Sequence, residues 1–76
     1  MYKYILHGGQ VNVKTPHVEN LSDILISSEQ TSEYIKIHEE FPNGLVLDIT
    51  QFPDKIEYVS NKRIIVLEDF SLAFED

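Results

Sequence analysis

Apolar and polar residues alternate on both sides of Pro42-Asn43-Gly44, and this is the clearest pattern in the sequence. Before the turn, Ile35, Ile37 and Phe41 fall on one side of an extended chain and Lys36, His38 and Glu40 on the other, with Glu39 alone among the apolar set. After it, Leu45, Leu47 and Ile49 alternate with Val46, Asp48 and Thr50. Side chains of a strand point to opposite faces in turn, so a period of two marks a strand with one buried and one wet face. Asn-Gly adopts the positive backbone angles of tight turns at little cost, which predicts a β-hairpin. Lys36, Glu40 and Asp48 then belong to its wet face.

Weaker patterns flank this hairpin. Residues 2–6 and 11–14, around His7-Gly8-Gly9-Gln10, read as a second hairpin, and residues 56–67, turned at Ser60-Asn61-Lys62, as a third. Ile64-Ile65-Val66-Leu67 is a continuous apolar run, which predicts a central strand covered on both faces; Lys62-Arg63 and Glu68-Asp69 guard it against aggregation. Residues 16–28 fit two patterns. Thr15-Pro16 suits a helix start, and Val18, Leu21, Leu25 and Ser28 fall at helical spacing with Ile24 alongside, which predicts a short helix covering the sheet. A strand over 24–27, turned at 28–31 into Tyr34, fits the same letters. At the C-terminus Phe70, Leu72 and Phe74 share one side of an extended segment, either as a last core element or as an acidic, aromatic contact surface. The expected fold is mainly β, α+β at most: one small antiparallel sheet or partly open barrel of five to six strands, with a short helix around residues 16–28, in one domain over 1–76.

Charge changes the picture more than composition does. Thirteen Asp and Glu stand against six Lys and Arg, a net −7 on 76 residues, while 42 % hydrophobic content keeps the chain among folding sequences. There is no cysteine, so disulfides and thiolate metal sites are excluded and a reducing, cytoplasmic setting is expected. The apolar run at residues 4–6 is too short for a signal peptide, and no apolar stretch is long enough to span a membrane as a helix. Between Lys14 and Lys36, between Lys36 and Lys55, and after Arg63 no base interrupts the acids. Such a surface repels nucleic acid and anionic membrane and attracts basic proteins.

No constellation of catalytic residues accompanies the charge. His7-Gly8-Gly9 resembles the oxyanion loop of esterases over three residues only, and no serine lies in a G-x-S-x-G elbow. His7, His17 and His38 lack metal-ligand spacing, and the neighbouring carboxylates Glu39-Glu40 and Glu68-Asp69 diverge in an extended chain. No phosphate-binding glycine motif occurs. The expectation is a noncatalytic protein, without cofactor or metal, that binds a basic protein surface such as that of a toxin, a nuclease or another nucleic-acid enzyme, as an immunity protein, antitoxin or nucleic-acid-mimicking inhibitor does. Its candidate contacts are Glu33, Glu39, Glu40, Asp48, Asp54, Glu68 and Asp69, with Phe70 and Phe74 as aromatic anchors. The alternative is a homo-oligomer built through exposed sheet edges.

Overall fold

In the computed structural model, which describes residues 1–75, five strands form an antiparallel sheet. They are β1 (Tyr2–Leu6), β2 (Leu25–Gln30), β3 (Ile35–Glu40), β4 (Val46–Gln51) and β5 (Ile56–Ser60), ordered β1-β5-β4-β3-β2. Strands β2 to β5 run as a meander, and β1 returns from the start of the chain to pair with β5. A second, two-stranded sheet joins β6 (Ile64–Val66) to β7 (Leu72–Phe74). The fold is mainly β, as the alternation implies, and the sheet is not closed: β1 and β2 are its edges. Among the described residues no helix is long and apolar enough to cross a membrane.

The central hairpin is present, with Ile37 opposite Ile49 and Glu39 opposite Leu47. Its loop differs from a two-residue Asn-Gly turn. The Gly44 N–H bonds the Phe41 carbonyl at 3.0 Å and the Phe41 N–H bonds the Leu45 carbonyl at 2.9 Å, which makes a three-residue loop. Only its last residue, Gly44, has a positive φ, of 90°. Asn43 serves instead through its side chain, whose Oδ1 accepts the Leu45 N–H at 3.0 Å.

The flanking hairpins do not form as expected. Strand β1 lies against β5, and the backbone of residues 11–14 pairs instead with β7, where Val13 bridges Leu72. The turn at Ser60-Asn61-Lys62 does not fold β6 back onto β5, because Asn61 bonds the hairpin instead. Its Oδ1 accepts the Val46 N–H and its Nδ2 donates to the Gly44 carbonyl, so the chain leaves the large sheet there. Ile64–Val66 is therefore no central strand but half of a short hairpin, with Val66 exposed.

The helix expected over 16–28 is absent. A single 3-10 turn at Leu21–Asp23 stands in its place, and Asn20 before it makes no side-chain cap bond. Ile24-Leu25-Ile26 and the serines that follow favour an extended chain, and pairing with β3 satisfies their backbone. The strand runs to Gln30, past the 24–27 of the alternative reading, and turns at 31–34, where the Thr31 hydroxyl accepts the Glu33 and Tyr34 N–H groups.

The core lies under one end of the sheet. Phe41, Leu45 and Leu47 form its centre, with Val13, Ile24, Ile49 and Phe74 packed around them. Leu45, Leu47 and Leu72 have no exposed surface at all. The two-stranded sheet and residues 12–14 form a lower layer against this core, joined at β7: its Leu72 N–H bonds the Asn12 carbonyl and its Leu72 carbonyl accepts the Lys14 N–H, at 2.9 and 2.8 Å. The lower layer leaves β2 uncovered, and all six of its residues are exposed.

Candidate functional site

The fold distributes the expected contact residues over five places. Glu40 and Asp48 lie on the open face of the sheet, where His38 stands between them. Asp48 Oδ1 is 2.7 Å from Nδ1 of the imidazole and Glu40 Oε2 is 3.0 Å from Nε2. With both ring nitrogens facing carboxylates, the charged imidazolium is favoured: the Glu40 bond, then the Asp48 bond, raise the His38 pKa above its ordinary 6.5. Ser27 of β2 is the cross-strand neighbour of His38, so serine, histidine and aspartate share one row. Both ring nitrogens face carboxylates, and among the described residues no hydrogen bond joins His38 to Ser27.

The same face carries its own counter-charges. Glu57 of β5 is 3.0 Å from Lys3 Nζ and 3.7 Å from Lys55 Nζ, and chiefly the Lys3 bond holds its carboxyl below the usual range. Glu57 itself lies outside the base-free windows of the sequence. Lys3 reaches it across strands and Lys55 from two residues earlier in the chain, while within the windows Glu40 and Asp48 share His38.

The ends of the sheet keep unneutralised acid. Glu33, in the β2–β3 turn, and Asp54, in the β4–β5 turn, sit at the same end, where the rings of Tyr34 and Phe52 meet at 5.8 Å and Lys55 Nζ stands over Phe52. Glu39 faces inward beside Leu47, as its place in the alternation implies. Half-buried, it has its pKa raised by loss of solvent. Among the described residues, Glu33, Glu39, Asp54, Glu68 and Asp69 have no basic side chain within 4 Å. The described residues contain no cluster of three or more metal-ligating side chains that could hold an ion.

Glu68, Asp69 and Phe70 form the loop of the β6–β7 hairpin. Phe74 is separated from them: it is half-buried in β7 and packs on the core. Phe70 stands out, with 77 % of its surface exposed and a φ of 66°, the only described residue other than glycine with a positive φ. The hydrogen bonds of the loop explain how it is held. The Phe70 N–H donates to the Leu67 carbonyl and the Leu67 N–H to the Ser71 carbonyl, both at 2.9 Å. The Ser71 N–H donates to Asp69 Oδ1 at 3.1 Å, and the Ser71 hydroxyl bonds the same oxygen. These two bonds, the hydroxyl's first, hold the Asp69 carboxyl below its ordinary range, with a smaller pull from Lys14.

A bulky side chain in the left-handed region sets Cβ against its own carbonyl, at a cost of about 1 to 2 kcal/mol that glycine avoids. Burial does not offset that cost in the free chain, since the ring lies in water. Nothing in the letters Glu68-Asp69-Phe70-Ser71 signals the conformation, because the position normally announces itself by Gly or Asn. Comparison with protein families, with curated proteins and with solved structures finds no match to the chain.

Proposed function

We propose that the chain is a small, noncatalytic binding protein whose β6–β7 turn engages a basic protein surface. One observation carries the reading: Phe70 is presented to solvent in a strained conformation, between an aspartate and a glutamate on one side and a buried serine on the other. Strain kept at an exposed position points to use. An aromatic ring is the side chain that most often anchors an interface, and two flanking carboxylates suit a pocket rimmed by Lys and Arg. The basic groove of a nucleic-acid enzyme offers such a pocket, which makes a toxin, a nuclease or a related enzyme the expected partner class. Acid at the tip also steers the approach, so association should be fast at low salt.

The test is capture of partners from cells that express the protein, with the wild type and Phe70→Gly immobilised side by side. A basic protein retained by the first and lost from the second, with affinity falling as salt rises from about 50 to about 500 mM, supports the reading. Equal capture by both chains, or capture indifferent to salt, overturns it.

A further inference from the structure

Strand β2 is an edge without cover. Leu25 and Ile26 are 64 % and 59 % exposed, and Leu21 just before the strand is 79 % exposed, more apolar surface than a lone edge strand ordinarily shows to water. The backbone bonds of this edge follow from the ladder. The Thr31 N–H bonds the Tyr34 carbonyl, and in an antiparallel pair the hydrogen-bonding direction alternates residue by residue. Leu25, Ser27 and Glu29 thus bond inward to β3, while Ile26, Ser28 and Gln30 turn their N–H and C=O groups outward.

We propose that β2 receives an extended segment of a basic partner, which adds a sixth strand to the sheet. Charge selects this occupant. Asp23, Glu29, Glu33, Glu39 and Glu40 lie on or next to β2, against Lys36 and the imidazole of His38, which bonds Glu40. A second copy of the chain would set the same carboxylates against each other. Glu39, opposite Ile26 on the inward side, and Glu40, opposite Leu25 on the open side, stand one strand behind the edge. Two strand spacings, about 10 Å, separate them from an added strand, within joint reach of a glutamate and a Lys or Arg side chain. Backbone bonds would then supply affinity, and the apolar pair with the two carboxylates would supply selectivity. The site shares the partner's charge with the reading above, but its observations are independent of Phe70.

A peptide of about ten residues that alternates lysine with valine serves as the probe, with hydrogen exchange of the uniformly labelled chain as the readout. The peptide should slow exchange at Ile26, Ser28 and Gln30 by about tenfold or more, while a glutamate–valine peptide leaves them unchanged. Ser28→Pro removes one outward N–H without breaking a bond to β3, so it should abolish the protection and keep the fold, whereas Phe70→Gly should retain it. Glu39→Gln should weaken the lysine peptide severalfold. No protection at millimolar peptide, equal protection by the acidic peptide, or a dimer of the free chain in light scattering that Ser28→Pro dissolves would each overturn the assignment.

Discussion

Phe70 occupies in the β6–β7 loop the position that Gly44 occupies in the β3–β4 loop. In each, the residue's N–H bonds the carbonyl three residues back, at 2.9 Å for Phe70 and 3.0 Å for Gly44. In each, the side chain one residue earlier, Asp69 or Asn43, accepts the N–H that follows, at 3.1 and 3.0 Å. The two loops share a three-residue design ending on a left-handed residue, with φ values of 66° and 90°. One has the amino acid that the conformation prefers and the other does not.

Exchanging the preferences should therefore move stability in opposite directions. Phe70→Gly is expected to raise stability by about 0.5 to 1 kcal/mol, the relief of strain less the added freedom of the unfolded chain. Gly44→Ala should lower it by about 1 kcal/mol, and purely through the backbone, since a Cβ there meets nothing within 4 Å. In a chain of this size each is a shift of several degrees in Tm, read by thermal denaturation.

The buried lower layer depends on Leu72, which is fully enclosed and whose backbone bonds residues 12 and 14. Leu72→Ala should cost about 3 kcal/mol. A domain of this length holds roughly 4 to 11 kcal/mol in all, so urea titration should show the midpoint falling by a large fraction.

His38 predicts a pH dependence of definite sign. Its folded pKa lies above its ordinary 6.5 because Glu40 and then Asp48 bond the charged ring. The stability this adds is complete below pH 6.5 and is lost as pH rises through the folded value. Resistance of the wild type to denaturation should fall over that interval, and His38→Gln should remove this part of the change.

Glu39 acts in the same direction for another reason. Burial raises its pKa above its ordinary 4.5, so the ionised form is disfavoured in the fold. Glu39→Gln should stabilise the free chain at pH 7 and give no advantage once pH falls below about 4, where the native carboxyl is protonated. Paired melts at the two pH values check this.

What the sequence disclosed follows from how local each signal is. The hairpin at Asn43-Gly44, the wet face with Asp48 and Glu40, and the lone inward carboxylate Glu39 were legible because turn chemistry and a period of two act over a few residues. The pairing of Tyr2 with Ser60 was not, because no local pattern chooses between partners so far apart in the chain. Residues 24–30 became a strand because β3 offered them backbone partners, which helical spacing does not reveal. The acidic window between Lys36 and Lys55 does not disclose that Asp48 pairs with His38, because that contact crosses strands. The letters around Phe70 mark it as an aromatic of an extended segment beside Phe74, and its turn conformation has no signature in them.

The most direct test of a function for the strained turn is the affinity of Phe70→Gly for the basic protein that the wild-type chain captures, measured by isothermal titration. A variant that is more stable yet binds about thirtyfold or more weakly, a loss of about 2 kcal/mol typical of an anchoring aromatic, is the expected result. Affinity equal to that of the wild type would contradict it.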